Sequence, residues 1–268
     1  MIHYKTDEQI ELIRESCMLV SKTLAHVATI LKPGTTGLKI DKEAETFIRD
    51  HNAVPGFKGY NGFPGTLCIS PNSGVVHGIP TDREFKDDDI ISIDCGSYLN
   101  EYFGDSAFTF AMPNVSEEVM ALLVATNESL YKGIEAAKVG ARIGDIGHAI
   151  QSYTEARNYT VVRELVGHGI GKNLHEKPEV PNYGRRGNGP KIKKGLVIAI
   201  EPMINLGVKN VKQSDDGWTI ETKDGKASAH YEHTVAIKED KTDILSDHSI
   251  VVDAIKNNSE IKNISLKK

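Results

Sequence analysis

The stretches Ile90-Ile-Ser-Ile-Asp94 and Ser106-Ala-Phe-Thr-Phe110 decide the fold class, because each is a β-prone run with an acidic residue at one end or directly before it. β-Branched and aromatic side chains favour strands, and both runs are apolar enough to be buried. Asp94 ends the first run, and Asp105 leads into the second. A buried carboxylate is costly unless it is paired, hydrogen-bonded or bound to a metal. This region therefore predicts a sheet with a polar site built onto it.

Two helices are predicted before these strands and two after them. Apolar residues at helical spacing predict helices over about 7–31, which stops at Pro33-Gly34, and about 38–51. After Pro113-Asn114, Ser116 precedes two glutamates, an N-cap pattern that opens a helix over about 116–138. A fourth helix is predicted over about 144–157. Further β-prone runs lie at 66–70, 161–166, 196–200, 217–222 and 229–237.

The order helix, helix, strands thus occurs twice. This repetition predicts an α+β fold of two similar halves, about residues 1–112 and 113–253, that share one sheet and form a site where they meet. Both halves belong to one predicted domain, residues 1–253. Residues 254–268 have no sustained pattern and are predicted to be a flexible tail.

Composition excludes several classes of protein. The 268 residues are 39% hydrophobic and 26% charged, which is typical of a globular chain. A net charge of −5 gives no basic excess, so no direct contact with nucleic acid is expected. Apolar runs such as Leu196–Ile200 are far shorter than the roughly 20 residues that span a bilayer, so no membrane partner is expected. An acidic N-terminus and three cysteines without C-x-x-C spacing favour the cytoplasm.

Two more acidic residues adjoin apolar strands. Glu201 follows Leu196–Ile200, and Glu232 lies within the run 229–237. A single acid of this kind more often caps a turn or forms an ion pair. Together with Asp94 and Asp105, however, these carboxylates would repel one another if gathered, and two divalent cations would neutralise them.

Three histidines are candidates for the same site. His168 lies among glycines in Gly167-His-Gly-Ile-Gly171, with His175 shortly after it and His77 in Val76-His-Gly-Ile-Pro80. A lone histidine is more often structural than a ligand. His230 and His233 flank Glu232, so they are candidates to hydrogen-bond to a metal ligand and orient it. Neither G-x-S-x-G nor H-E-x-x-H occurs, which excludes those serine and zinc hydrolase motifs.

An ordered series of motifs between about residues 5 and 240 resembles type I methionine aminopeptidases, the bacterial-type members of the pita-bread metallopeptidases. The motifs are Asn61-Gly-Phe-Pro, Val76-His-Gly-Ile-Pro80, Ile93-Asp94 with Gly104-Asp105, Gly167-His-Gly-Ile-Gly171 with His175-Glu176, Ile200-Glu-Pro-Met203 and Tyr231-Glu-His-Thr-Val235. The resemblance implies the pita-bread fold, with two pseudo-symmetric halves around a central dimetal cleft. It also implies hydrolytic removal of the N-terminal methionine by a water or hydroxide that bridges the metals.

The resemblance assigns roles position by position. The implied metal ligands are Asp94, Asp105, His168, Glu201 and Glu232. Asp105 and Glu232 would bridge two ions, with Asp94 on one and His168 and Glu201 on the other. An oxygen-rich shell with one imidazole suits Mn, Fe(II), Co or Zn.

The implied catalytic residues are His77, His175 and Glu201. Glu201 would also shuttle a proton, and His175 would stabilise the tetrahedral oxyanion. His77 would contact the substrate's backbone nitrogen and help to protonate the leaving amine, so both histidines would also bind substrate.

A methionine pocket is implied as well. Tyr60, Phe63, Cys68, His77 and Trp218 match positions that line it. Without the resemblance, ordinary core packing would explain Tyr60, Phe63 and Trp218. Phe57 and Leu174 stand where familiar bacterial members have Cys and Phe, so the pocket's size is expected to differ. The expected partners are N-terminal methionine peptides and nascent chains near the ribosome, bound by a monomer.

Two alternatives share this fold. Prolidase and aminopeptidase P have the same ligand set, but they usually carry an additional N-terminal domain. A non-catalytic binding protein would use the cleft to hold a partner, but such relatives typically lose metal ligands. The full ligand set with His77 and His175 favours the methionine enzyme.

Overall fold

The computed structural model describes residues 1–264 and contains the predicted helix–helix–strand order twice. The first half consists of α1 (Asp7–Ile30), α2 (Gly37–Asp50), β1 (Val54–Pro55), β2 (Leu67–Pro71), β3 (Gly74–Val76), β4 (Ile90–Leu99) and β5 (Tyr102–Ala111). The helices of the second half are α3 (Glu117–Ala136), α4 (Ile143–Glu155) and the terminal α5 (His248–Lys256). Its strands are β6 (Thr160–Val161), β7 (Gly167–Gly169), β8 (Glu176–Val180), β9 (Val197–Ile200), β10 (Met203–Asn205), β11 (Val211–Gln213), β12 (Ile220–Thr222), β13 (Ser228–His230), β14 (His233–Ile237) and β15 (Thr242–Ile244).

Local capping explains where the long helices begin. Thr6 caps α1 in a reciprocal pair with Gln9, and Ser116 accepts a hydrogen bond from the backbone N–H of Val119 at the start of α3. The N-cap predicted at Ser116 is confirmed.

The β4–β5 hairpin forms the centre of the first half. Asn100 and Glu101 connect its strands with φ angles of 50° and 67°, the type I′ geometry that matches the twist of a tight hairpin. Helix α1 packs across it. A Cβ on Gly104 would lie 2.4 Å from the backbone nitrogen of Cys17 on α1. The hairpin therefore requires glycine immediately before Asp105.

The prediction of one shared sheet is wrong. In residues 1–264 the strands form four hydrogen-bonded sheets, with β1, β2, β4 and β5 in one and β7, β8, β9, β14 and β15 in another. Short strands, breaks and shifts of register divide the predicted sheet. The run 229–237, for example, splits at Tyr231-Glu232 into β13 and β14.

The C-terminal segment also differs from its prediction. Ile255, Ile261 and Ile264 are buried against the main core, and the Asn258 side chain donates hydrogen bonds to backbone oxygens of α1 and of Leu31 that follows it. These isoleucines lack regular spacing, so no helical or strand period revealed them. Residues 265–268 of the predicted tail lie outside the described residues.

Candidate metal and substrate site

A pocket of about 350 Å³ contains every residue that the sequence assigned to the site. It is lined by Phe57, Tyr60, Asn61, Phe63, Cys68, Val76, His77, Asp94, Asp105, Glu164, Leu165, Val166, His168, Leu174, His175, Glu201, Met203, Trp218 and Glu232. A larger groove of about 920 Å³ between residues 143–144 and 177–190 includes none of the predicted residues in its lining. The predicted site residues therefore all line the smaller pocket.

Strand geometry brings Asp94 and Asp105 to one face of the first sheet. Asp94 pairs with Ala107 across the β4–β5 hairpin, and Gly96 pairs with Asp105. Side chains alternate along a strand, so Asp94 and Asp105 lie diagonally on the same face.

The second half contributes the facing groups from three breaks or short strands. His168 lies within β7, Glu201 directly follows β9, and Glu232 lies between β13 and β14. One ligand atom from each of Asp105, His168 and Glu232 can be chosen so that all lie within 4.8 Å of one another. The His168 Nε2 is 3.6 Å from Oε1 of Glu201 and 3.8 Å from Oδ2 of Asp105.

The hydrogen bond of His168 orients its free nitrogen. Its Nδ1 lies 2.9 Å from the carbonyl oxygen of Gly169, which can only accept. Nδ1 therefore carries the proton, and Nε2 presents a lone pair to the carboxylates. Burial lowers the pKa of His168 to about 3, which keeps the ring neutral. A neutral imidazole held in this way is a suitable metal ligand.

The carboxylates are strongly perturbed. Burial raises the pKa of Asp94 to about 7. Burial, followed by the neighbouring negative charges, raises the pKa values of Asp105, Glu201 and Glu232 well above their usual range. Such a cluster is stable only if it takes up protons or cations.

Buried polar atoms without partners fit a cation site. Within residues 1–264, Oδ1 of Asp94, Oδ1 of Asp105 and Oε1 of Glu232 are buried and have no hydrogen-bond partner. Buried oxygen atoms are normally satisfied. Oxygen donors with one imidazole are a donor set that divalent metals accept.

The opposite side of the pocket is formed largely by apolar and aromatic side chains. Phe57, Phe63, Cys68 and Leu174 belong to one buried cluster, and Tyr60 and Trp218 pack against it. The Trp218 and Phe63 rings meet edge to face, with centroids 5.2 Å apart.

His175 lies where these two walls meet, and His77 also lines the pocket. The His175 ring is 4.3 Å from that of His168, centroid to centroid, and its Nδ1 is 2.9 Å from the Tyr60 hydroxyl. Burial lowers the pKa values of both His77 and His175. His77 has a φ of 58°, an uncommon value for a residue other than glycine.

Sequence reasoning missed several contributors. Asn61, Glu164, Leu165 and Met203 line the pocket, and the Asn182 side chain donates a hydrogen bond to the carbonyl oxygen of Glu201. Asn61 and Met203 lie inside two of the motifs that carry the resemblance, Asn61-Gly-Phe-Pro and Ile200-Glu-Pro-Met203, and this position is their signal in the sequence. Asn182 has no local pattern that distinguishes it from a loop residue.

His230 and His233 have different surroundings. The His230 Nε2 is 3.7 Å from Oε2 of Glu201, whereas His233 contacts Ser246 and Tyr131 away from the pocket. His230 is therefore the one of the two that faces a predicted ligand side chain.

The chain belongs to metallopeptidase family M24, whose model matches residues 11–239. It is 51% identical over 246 residues to a methionine aminopeptidase of Clostridium perfringens, covering 92% of this chain and 99% of that protein. The crystal structure of methionine aminopeptidase from Rickettsia prowazekii superimposes with a TM-score of 0.91 at 39% identity, covering 92% of this chain and all of that one. These matches confirm the resemblance and the α+β pita-bread fold.

A more distant structure shares the fold alone. An Xaa-Pro dipeptidase from Bacillus anthracis matches with a TM-score of 0.72 at 18% identity, covering 91% of this chain and 62% of that one. At this identity the match shows only that the fold is shared.

Proposed function

We propose that this chain removes the N-terminal methionine from peptides and nascent proteins by metal-dependent hydrolysis. The main support for this proposal is the arrangement of the pocket. A neutral, oriented His168 and the buried carboxylates converge on one side, and the other side is largely apolar. Membership of a metallopeptidase family and high identity to proteins named methionine aminopeptidase support the same activity.

The proposed centre holds two divalent ions, Mn, Fe(II), Co or Zn. Asp105 and Glu232 would bridge them, Asp94 would bind one, and His168 and Glu201 would bind the other. When bound, the ions would supply Lewis acidity and would lower the pKa of water at the site. The partnerless oxygens of Asp94, Asp105 and Glu232 support this assignment.

Glu201 is proposed to move the proton of the attacking water. Its carbonyl is held by Asn182, and its carboxylate faces both His168 and His230. A carboxylate beside the attacking water can accept its proton and release it again. That property suits transfer to a leaving amine.

His175 is proposed to stabilise the oxyanion through Nε2. In that role the Tyr60 hydroxyl donates to Nδ1, so that Nε2 keeps a proton to donate. His77 is proposed to contact the substrate's backbone nitrogen. Both histidines are neutral at physiological pH because their pKa values are lowered.

The apolar wall is proposed to bind the methionine side chain. Phe63, Cys68, Tyr60 and Trp218 offer aromatic and sulfur contacts that suit an unbranched thioether. Phe57 and Leu174, at the two departures from familiar relatives, belong to the same cluster.

The proposed setting is the cytoplasm, where the protein acts as a monomer on nascent chains near the ribosome without direct nucleic-acid contact. Within residues 1–264, no helix combines the length and apolarity needed to cross a membrane.

Release of free methionine from Met-Gly-Met-Ala tests the proposal, with a Gly-first peptide as the control. The protein is stripped of metal and assayed again after addition of Mn(II), Fe(II), Co(II) or Zn(II), beside Asp105→Asn. Cleavage of the Met-first peptide alone, dependent on metal and lost in the variant, is expected. Inactivity of the folded protein with every metal would favour the binding-protein alternative, and cleavage after another first residue would overturn the pocket assignment.

A further inference from the structure

The two proposed bridging residues lie on opposite sides of the boundary between the two halves of the molecule. We call this boundary, where β5 faces residues 230–234, the seam. Asp105 is on β5, and Glu232 directly precedes β14. In the described residues β5 pairs with β4, whereas β14 pairs with β9 and β15. No strand ladder between β5 and β14 therefore fixes how far Asp105 lies from Glu232.

Side-chain hydroxyls cross this seam in both directions. The Ser106 hydroxyl donates to the carbonyl oxygen of Glu232 at 2.6 Å, and the Thr234 hydroxyl donates to the carbonyl oxygen of Asp105 at 2.8 Å. Each bridging residue is thus held at its own carbonyl by a hydroxyl from the opposite half. Ser106 and Thr234 are both fully buried.

A third side-chain hydroxyl also forms hydrogen bonds across the seam. Thr109 donates to the carbonyl oxygen of His230 at 2.7 Å and accepts from the N–H of the same residue at 2.9 Å. A main-chain hydrogen bond from the N–H of Glu232 to Ala107 lies between these contacts. Main-chain bonds form whatever the side chains are, so the hydroxyls supply the sequence-specific part of the alignment.

His248, the first residue of α5, also contacts the Ser106 hydroxyl. Its Nε2 is 3.0 Å from the Ser106 Oγ. Ser106 has one hydroxyl proton and donates it to Glu232, so Nε2 of His248 must be the donor in this contact. The pair forms a directed chain from His248 through Ser106 to the backbone of Glu232.

We propose that Ser106 and Thr234 are positioning residues that set the separation of the Asp105 and Glu232 carboxylates across the seam. This inference rests on the proposed function, because it assumes that both carboxylates bridge the same pair of ions. Loss of either hydroxyl frees one bridging residue's carbonyl and leaves the other held. Two ligands bind the same ions well only if their carboxylates stay within a narrow range of distances. Loss of a hydroxyl widens that range, so the affinity for metal falls.

Metal affinity of isosteric variants tests this proposal with Co(II) as the probe. Ser106→Ala and Thr234→Val remove the hydroxyls with little change of volume. Ser129→Ala and Thr23→Val are matched controls, since both residues are fully buried and donate to backbone carbonyls within α3 and α1. Thr234→Ser keeps the hydroxyl and is the conservative control at this position. Co(II) binding is measured by titration calorimetry and by the visible absorption spectrum.

We expect the seam variants to bind Co(II) about 10-fold more weakly and with an altered spectrum, whereas the controls and Thr234→Ser resemble the unmodified protein. Equal Co(II) affinity and spectrum in all folded variants would overturn the proposal, even if their melting temperatures fell alike. Thr234→Val decides the matter if Ser106→Ala does not fold. Co(II) binding without methionine release would contradict the proposed function, yet the affinities would still decide the positioning role.

Discussion

The two walls of the pocket are built in different ways. Asp105, His168 and Glu232 are no more than 9% exposed and come from strands or the breaks beside them. The opposite wall combines buried side chains such as Phe63 with the partly exposed Tyr60, in a short 3₁₀ turn, and Trp218, in the segment before β12. A metal centre tolerates little change in ligand position, whereas a slot for a flexible thioether can adapt. The difference predicts that substitutions on the ligand wall alter chemistry and those on the apolar wall alter binding.

Glu232→Gln is expected to have the largest effect. The amide keeps the shape of the side chain but removes the negative charge that the proposed bridging role requires, so kcat should fall at least about 100-fold. Activity and metal content of the purified variant are the measurements. Glu164→Gln is a control that also lines the pocket but is not a proposed ligand. A fully active Glu232→Gln enzyme would remove Glu232 from the metal centre.

Metal removal should make the protein's stability depend on pH. Carboxyl groups with raised pKa values hold protons in the folded state after the unfolded state has released them, so the free energy of unfolding falls as pH rises from about 4. For Asp94 this loss extends to about pH 7, and the raised pKa values of Asp105, Glu201 and Glu232 add to it.

The buried histidines oppose this trend only at lower pH. With pKa values below the ordinary value near 6.5, they destabilise the fold as pH falls below about 6.5 and have no effect above it. The melting temperature of the metal-free protein should therefore fall over the interval that begins at pH 6.5. Bound metal should flatten this slope. A metal-free protein whose melting temperature rises over that interval would contradict the prediction.

Tyr60→Phe should give an intermediate effect, because the residue belongs to the apolar wall yet contacts His175. Loss of its hydroxyl leaves Nδ1 of His175 free to take the proton, so kcat should fall about 10-fold with little change in KM. Tyr98→Phe removes a hydroxyl that lies outside the pocket lining and serves as the control. A change confined to KM would assign Tyr60 to binding of the methionine side chain alone.

Phe63→Leu should have the smallest effect and should appear in KM. The change removes the edge contact with Trp218, which should raise KM about fivefold for a Met-first peptide and leave kcat unchanged. Phe47→Leu, on α2 between His26 and His51, is the matched control. An equal loss of kcat would show that the apolar wall also orients the reacting bond.

Much of the fold could be predicted from local patterns. The helices predicted over 7–31, 38–51, 116–138 and 144–157 correspond to α1, α2, α3 and α4, because apolar periodicity and caps are local signals. The single sheet was wrong, and the burial of Ile261 and Ile264 was not foreseen, because strand pairing and terminal docking depend on distant partners.

The candidate site divides in the same way. The amino-acid sequence specifies which chemical groups are available and, through the ordered motifs, which of them resemble a metal centre. Tertiary structure alone decided the neutral tautomer of His168, the contact of Tyr60 with His175 and the hydroxyl from Ser106 to Glu232. Ser106 and Glu232 are 126 residues apart in the chain. A hydrogen bond over such a separation leaves no periodic trace in the sequence, since only the folded packing of the two halves brings its donor and acceptor together.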